Sequence, residues 1–274
     1  MVDNIRVGYI LDLHIEFILN HMTHEYGSNL LEKLDYVLND IYKKATGNKL
    51  DVLLLVGDLG ESDFSQYIMT VLSNRLKKAG IKVISILGNH EIWWYKDFEA
   101  CIKEYKNISQ MGNFKLLQNE LVYWNNKGFG EISEKELLDI AFEDLAERLK
   151  DAKLIIFGGL GFAGYNSRFC AEQRIYRNTM NREQEFLESD KINYIYDLIE
   201  PLLKGRGIVV THTPKRDWCR SSRLCKDIVY VSGHTHKNKL VEKDGYREYA
   251  DNQIGYCKAF NNEFISIKYF EMEA

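Results

Sequence analysis

The hydrophobic positions in the first third of the chain alternate between two patterns. Short runs of almost continuous Val, Leu and Ile, typical of strands buried on both faces, occur at Ile5–Leu11, Asp51–Val56 and Ile81–Leu87. Between them, Leu30–Ala45 and Phe64–Ala79 carry apolar residues at helical spacing, and each stretch stops close to a glycine. This strand–helix alternation predicts an α/β domain with parallel central strands.

The pattern is less regular in the middle of the chain and richer in strands towards its end. Alternating apolar and polar residues near the C-terminus predict sheets that finish with antiparallel strands. The glycine-rich stretch Gly158–Gly161 fits the spacing of neither a P-loop nor a dinucleotide fingerprint, and we interpret it as a turn. We predict helices at Trp93–Tyr105, Ser133–Leu149 and Arg182–Leu203, and strands at Phe114–Leu117, Leu121–Trp124, Leu154–Phe157, Ile208–Val210, Ile228–Val231, Lys239–Glu242, Tyr246–Tyr249 and Phe264–Phe270.

Composition adds that the chain can build one sizeable core. Of its 274 residues, 45% are hydrophobic, and a total of two prolines excludes a Pro-rich linker. We therefore predict a single domain over residues 1–274, with lid or insert segments around 125–150 and 162–203. The formal net charge of -4 offers no strong field for nucleic acid, so a nucleic-acid partner is not favoured.

Cysteine usage and hydropathy bear on the compartment. The five cysteines are odd in number and form no close CxxC pair, which is typical of reduced thiols in the cytoplasm. The N-terminus lacks the apolar core of an export signal, and the apolar run Ile15–Leu19 is interrupted by Glu16 and is too short to cross a bilayer. We expect a cytoplasmic protein without a membrane partner.

Residues that can bind metal ions collect at the ends of the predicted strands. Five of the seven histidines follow a strand directly, and an open α/β sheet gathers its chemistry beyond the carboxyl ends of its strands. Asp12 with His14, and His234 with His236, are two residues apart, so in extended backbone each pair would point to one side and bind one ion. The complete set is Asp12, His14, Asp58, Asn89, His90, His212, His234 and His236.

The donor types point to two divalent cations. Carboxylates, one amide oxygen and several imidazoles suit Mn²⁺, Fe or Zn²⁺, whereas a structural zinc site would be rich in thiolates. These ligands are too many for one tetrahedral ion, and a bridging carboxylate would allow two ions to lie roughly 3.5–4 Å apart.

Five ordered motifs give the chain a family resemblance. They are Asp12-x-His14, Gly57-Asp58, Gly88-Asn89-His90-Glu91, Thr211-His212 and Gly233-His234-Thr235-His236, and in this order and spacing they resemble the calcineurin-like metallophosphoesterases. The resemblance implies a four-layer α/β/β/α sandwich, with two mixed β-sheets flanked by helices. It also implies a metal-dependent phosphoric ester hydrolase.

The resemblance further implies a role for each residue. Asp12, His14, Asp58 and His236 would hold the first cation, and Asp58 as the bridge, Asn89, His212 and His234 the second, with manganese favoured over iron or zinc. A hydroxide bridging the two ions would attack phosphorus. His90 would act as the general acid, oriented by Glu61, which occupies the position of the family's second acid. We expect Glu91 to support the site rather than bind metal, and His21 and His24 to be structural or surface residues.

Substrate recognition is left to a different part of the chain. The protein phosphatases of this family place arginines after the motif aspartate and before the motif asparagine, where this chain has Ser62 and Leu87. Protein phosphatase activity is therefore not favoured. The segment from Gly164 to Arg182 is either a solvated loop or a lid that brings arginines to the substrate, with Arg168, Arg174 and Arg177 as candidates.

Three functions remain open from the sequence. The leading hypothesis is hydrolysis of a phosphomonoester or phosphodiester in a small phosphorylated substrate, and a nuclease using the same site is the second. The third is a non-catalytic scaffold, as in a retromer subunit with this fold, although such a scaffold has a damaged metal site and this chain fills every ligand position. The sequence does not define the oligomeric state.

Overall fold

The computed structural model describes residues 4–166, 168–255 and 265–273. The strands are β1 Ile5–Ile10, β2 Val52–Val56, β3 Lys82–Ile86, β4 Phe114–Leu116, β5 Glu120–Asn125, β6 Gly128–Ile132, β7 Leu154–Gly159, β8 Gly207–Thr211, β9 Ile228–Ser232, β10 Lys239–Lys243, β11 Tyr246–Ala250 and β12 Lys268–Met272. The helices are α1 Ile15–His21, α2 Leu30–Gly47, α3 Ser62–Lys77, α4 Asn89–Ile92, α5 Phe98–Met111, α6 Glu134–Asp139, α7 Phe142–Leu149, α8 Arg182–Leu203 and α9 Lys215–Trp218.

The strands form two mixed sheets. The first has the order β12-β1-β2-β3-β4, in which β1 to β4 are parallel and β12 pairs antiparallel with β1. The second has the order β10-β11-β9-β8-β7-β5-β6, with a parallel centre from β11 to β7 and antiparallel pairs at both edges. The predicted parallel core with antiparallel ends is confirmed.

Three apolar clusters separate the layers of the fold. One lies between the sheets and includes Val56 of β2 and Val210 of β8. A second joins the first sheet to α2, α3 and α5, and a third joins the second sheet to α6, α7 and α8. Burial on both faces explains the continuous apolar runs of the central strands. The predicted α/β/β/α sandwich is confirmed.

The helical prediction Ser133–Leu149 is wrong in one respect, because two helices replace one. Ser133 caps α6 in a capping box with Glu136, and the chain is extended at Ile140 and Ala141 before α7 begins. The break lets Leu137 of α6 and the leucines of α7 enter the same apolar cluster.

Other element boundaries also move. The predicted helix Trp93–Tyr105 begins too early: residues 93–97 connect α4 to α5, which starts after the N-cap Asp97. Helix α1 and strand β6 were not predicted. In the predicted strand Phe264–Phe270, Phe264 lies outside the described residues, and β12 begins at Lys268. Among the described residues, no helix has the length and apolar character needed to cross a membrane.

Candidate metal centre

The candidate ligands follow strands of both sheets. Asp12 and Asp58 lie two residues beyond β1 and β2, and Asn89 lies three residues beyond β3. In the second sheet, His212 follows β8 directly and His234 lies two residues beyond β9. The candidate ligands therefore collect beyond the carboxyl ends of strands, as predicted, and strands of both sheets contribute.

The backbone of these turns is unusual. Left-handed φ angles occur at Asp12 (47°), His14 (42°), Asp58 (48°), His234 (65°) and His236 (51°). Such conformations are rare outside glycine and cost on the order of 1–3 kcal/mol each. The extended backbone assumed for the two residue pairs is thus wrong: tight turns, rather than strand alternation, bring these side chains together.

The first group of ligand atoms comprises Asp12, His14, Asp58 and His236, all within 4.8 Å of one another. The His14 Nε2 lies 3.3 Å from the His236 Nε2 and 3.7 Å from the Asp58 Oδ2. Asp12, His14 and Asp58 are buried, whereas His236 is exposed. The group thus reaches from the interior to the surface.

The second group contains Asp58, His212 and His234, and Asn89 lies against it. The Asn89 Oδ1 lies 3.0 Å from both the His212 Nε2 and the His234 Nδ1, which are 3.2 Å apart. The same Asp58 Oδ2 that faces His14 lies 3.4 Å from the His212 Nε2. Asp58 is therefore positioned between the two groups.

These distances fit two cations. Two nitrogens bound at 2.0–2.1 Å to one tetrahedral ion are about 3.3 Å apart. The His14–His236 and His212–His234 nitrogen pairs have this spacing at 3.3 Å and 3.2 Å. His234 directs its Nδ1 to the second group, and its buried Nε2 has no hydrogen-bond partner within the described chain. The residues present fit a dinuclear divalent metal site.

Two glycines allow the turns to approach the carboxylates. A Cβ at Gly88 would lie 2.2 Å from the Asp58 Oδ1, and one at Gly233 would lie 2.4 Å from the Asp12 Oδ2. Neither distance is compatible with a side chain, because the nearest atoms belong to buried ligands.

Glu91 holds the turns of two motifs together. Its fully buried carboxylate accepts backbone N–H groups from Asp58 (2.9 Å), Leu59 (2.7 Å) and Gly88 (2.7 Å), and the Ser65 hydroxyl at 3.0 Å. Burial raises the pKa of Glu91 to about 7, and the nearby Asp58 charge acts in the same direction. Glu91 therefore supports the turns that carry the candidate ligands Asp58 and Asn89.

In the protein without a metal ion, the pKa values of the candidate histidine ligands shift in different directions. Burial lowers the pKa of His14 and of His234 to about 3, so both imidazoles are neutral and can bind a cation. Burial also acts to lower the pKa of His212, but the carboxylates of Asp58 and Asp12 outweigh it and raise the pKa to about 9. A cation at this position would replace the proton of His212 as the partner of Asp58.

His90 lies at the edge of the same site. Its Nε2 is 3.8 Å from the Asp58 Oδ2 and its side chain is 12% exposed, while its backbone N–H donates to the Asp58 Oδ1 at 2.9 Å. Burial lowers the pKa of His90, and the charges of Asp58 and Glu61 oppose that effect. His90 is therefore accessible to a substrate from the edge of the site.

The structure does not bring Glu61 into hydrogen-bond contact with His90 among the described residues. Glu61 instead precedes α3, and its backbone N–H donates to the Glu16 carboxylate. Glu16 is the carboxylate that groups with His14 and His90, within 4.8 Å. The sequence analysis missed it, because Glu16 interrupts an apolar run and belongs to no motif; its place two residues after His14 was the available signal.

Residues 168–182 border the site on two sides. The Phe169 ring packs edge-to-face on His234 at 5.6 Å, and the Arg177 guanidinium lies 3.9 Å above the Trp93 ring, which in turn contacts His90. In the described part of the chain, the exposed Arg168 and Arg174 side chains form no hydrogen bond, ion pair or ring contact. Of the three arginines, the structure brings Arg177 to the site.

Comparison with known proteins identifies the family. Residues 5–238 match the model of the calcineurin-like phosphoesterases, so the chain belongs to this family and is a metal-dependent phosphoesterase. A search of curated proteins finds no match. Similar solved structures include a dimetal phosphatase from Danio rerio, with 14% identity over 90% of this chain and 87% of that one and a TM-score of 0.41. Another is a 5′-nucleotidase from Candida albicans, with 15% identity over 93% of this chain and 47% of that one and a TM-score of 0.40. Likenesses at this level carry no argument about substrate.

Proposed function

We propose that this enzyme hydrolyses a phosphomonoester or phosphodiester bond in a small phosphorylated substrate, using two divalent cations. The proposal depends on two pairs of imidazole nitrogens. The His14 and His236 nitrogens lie 3.3 Å apart and the His212 and His234 nitrogens 3.2 Å apart, with the Asp58 Oδ2 between the two pairs. A single cation would leave one pair unused.

The ligands divide naturally between the two positions. Asp12, His14 and His236 would hold one cation, Asn89, His212 and His234 would hold the other, and Asp58 would bridge them. When bound, the cations supply hydroxide near neutral pH and offset the charge that develops on the phosphate oxygens. The nitrogen and oxygen donors suit Mn²⁺, Fe and Zn²⁺ alike, and we propose manganese, with iron or zinc as alternatives.

His90 is proposed as the general acid. It lies beside the bridge residue and is partly exposed, so it can reach the leaving-group oxygen from the edge of the site. The Glu16 carboxylate lies within 4.8 Å of His90, and the charges of Asp58 and Glu61 favour the protonated imidazole against the effect of burial. We propose that Glu16 orients His90, while Glu61 acts through its charge.

The sequence has five cysteines and no close CxxC pair, and in the described part of the chain Cys101, Cys219 and Cys225 are free thiols. This supports the proposal of a cytoplasmic enzyme, because disulfides are rare in that compartment.

A hydrolysis panel tests the proposal. Metal-stripped protein is reloaded separately with Mn²⁺, Fe²⁺, Zn²⁺ and Mg²⁺ and assayed with p-nitrophenyl phosphate, bis-p-nitrophenyl phosphate, cyclic nucleotides, dinucleoside polyphosphates and short single-stranded DNA. We expect turnover of a small phosphate ester with at least one cation, two bound cations per chain, and loss of both in Asp58→Asn.

Two outcomes would contradict the proposal. Cleavage of DNA with no turnover of small esters would identify a nuclease. Silence with every cation, together with a failure to bind two cations, would favour the scaffold.

A further inference from the structure

The stretch of chain around Arg177 is anchored on both sides. Before it, the Ile175 carbonyl accepts the indole N–H of Trp93 at 2.6 Å. After it, the buried Thr179 hydroxyl lies 2.8 Å from the Ile92 carbonyl and 3.1 Å from the Tyr95 carbonyl. These contacts join the segment to the turn that follows His90, so buried and partly buried hydrogen bonds hold Arg177 in place relative to His90.

Arg177 itself is presented by a tight turn. Its φ is 50°, and its backbone N–H donates to the Arg174 carbonyl at 2.9 Å. The guanidinium carbon lies 3.9 Å from the centre of the Trp93 ring and 4.7 Å from that of Trp94. Stacking of this kind orders the guanidinium while leaving its N–H edge available for hydrogen bonds.

Among the described residues, the guanidinium of Arg177 lacks an acidic partner. In the part of the chain that the structure describes, no carboxylate forms an ion pair or hydrogen bond with the exposed Arg177 side chain. A planar cation that is ordered by two indoles and lacks an anion is suited to bidentate binding of a carboxylate or phosphate. Trp94, 58% exposed, extends this surface beside it.

The neighbouring residues determine which part of a substrate would meet Arg177. The Trp93 ring centre lies 3.6 Å from the centre of the His90 imidazole. In the proposed function His90 protonates the leaving-group oxygen, whereas the reacting phosphate is held between the two ligand groups around Asp58. Arg177 therefore lies on the leaving-group side of the site.

We propose that Arg177 binds an anionic group on the leaving group, so that the enzyme prefers substrates whose leaving group carries its own carboxylate or phosphate. This inference rests on the proposed function. It separates Arg177 from Arg168 and Arg174, which the sequence could not do.

Three aryl substrates test the inference with the reloaded enzyme: phenyl phosphate, 4-carboxyphenyl phosphate and 1,4-phenylene bisphosphate. The quantity compared is the ratio of kcat/KM for each anionic substrate to kcat/KM for phenyl phosphate, because differences in intrinsic reactivity cancel when wild type and variant are compared. We expect Arg177→Gln to lower this ratio about tenfold to a hundredfold, as expected for loss of a charge-assisted bidentate contact. The anionic substrate whose kcat/KM ratio falls more in Arg177→Gln shows whether Arg177 prefers a carboxylate or a phosphate.

Two further variants separate charge from geometry. Arg177→Lys keeps the charge but loses the planar fork, and should retain part of the preference. Lys96→Gln removes an exposed charge from the connection between α4 and α5, which also carries Trp93 and Trp94. This variant should leave the ratio within about threefold of wild type.

Several outcomes would overturn the inference. They are a wild-type enzyme that hydrolyses phenyl phosphate and shows no preference for either anionic substrate, an equal loss on all three substrates in Arg177→Gln, or an equal fall of the ratio in Lys96→Gln. Failure of the wild type on all three substrates with every cation would overturn the proposed function and this inference with it.

Discussion

At the scale of single residues, the side chains that position the site matter as much as the ligands. Glu91 accepts three backbone N–H groups from the turns that carry Asp58 and Asn89. A carboxylate can do this because both of its oxygens only accept, whereas an amide must direct two donors somewhere. The turn after β2 and the turn after β3 are therefore tied to one acceptor.

We predict that Glu91→Gln weakens metal binding by about 10- to 100-fold, because the amide N–H₂ would face the backbone donors of the motif turns. Competition against a chelator of known affinity measures the change. Ser65→Ala removes a single donor to the same carboxylate and serves as the matched control, with an effect below about threefold. Equal effects in both variants would show that the backbone contacts of Glu91 do not set ligand geometry.

For His90→Ala we predict that two cations still bind, since this side chain is outside both ligand groups. Turnover of an alkyl phosphate, whose leaving group needs a proton, should fall about 10²- to 10⁴-fold. With p-nitrophenyl phosphate the loss should be much smaller. Steady-state kinetics and metal analysis check both halves, and undiminished turnover of the alkyl phosphate would remove His90 from the acid role.

At the scale of elements, α6 offers a pH-dependent contribution to stability. Glu136 accepts the backbone N–H of Ser133 at 2.9 Å, its hydroxyl at 2.7 Å, and an Arg148 N–H at 3.2 Å. These hydrogen bonds, that to the Ser133 backbone foremost, lower the pKa of Glu136 to about 2. A depressed pKa in the folded state means that the stabilisation is present above the ordinary pKa of 4.5 and is lost as the pH falls towards 2.

We therefore predict that Glu136→Gln lowers the free energy of unfolding at pH 7, and that its difference from wild type shrinks progressively below pH 4.5. Urea denaturation at pH 7, 5, 4 and 3 measures the trend. Glu143→Gln, in the first turn of α7, provides a control helix acid. A difference between wild type and Glu136→Gln that does not change with pH would mean that its charge is not the cause.

The sequence predicts an element where local residue patterns determine it, and not where packing determines it. The strand ends could be predicted, because continuous apolar runs followed by Asp, Asn or His mark both a buried strand and its functional end. The break between α6 and α7 could not, since Ile140 and Ala141 fit a helix locally and packing decides against it. The left-handed turns at Asp12 and His234 were also hidden, because strain is maintained by the surrounding fold rather than by local preference.

The same distinction applies to the site. Its ligands fall in motifs, whereas Glu16 and Arg177 reach it through the path of the backbone, which no local pattern encodes. Glu61 occupies the motif position and acts on His90 through its charge, whereas Glu16, outside the motifs, lies within 4.8 Å of His14 and His90.

At the scale of the whole molecule, the metal centre joins the two sheets. Asp12, Asp58 and Asn89 come from the first sheet, and His212 and His234 come from the second. Cations that bind only the folded chain stabilise it by mass action, by about 2.7 kcal/mol at a hundred times the Kd.

We predict that chelation with EDTA lowers the Tm of the loaded protein by about 5–10 °C, as this free energy implies for a chain of this size. Restoring the favoured cation should reverse the shift. In Asp58→Asn, which lacks the bridge, the Tm should be nearly insensitive to EDTA. The same EDTA shift in this variant would place the stabilising cations elsewhere. Thermal unfolding followed by circular dichroism gives the measurement.

The wide separation of the ligands along the chain has a consequence for how the protein forms. His14 and His236 meet at 3.3 Å although 222 positions separate them. Because the candidate donors come from both sheets, we expect a cation to bind with high affinity only after both sheets have formed and docked. Stopped-flow refolding in the presence of Co²⁺, whose absorption reports its coordination, would show whether the candidate metal centre forms in the last step of folding.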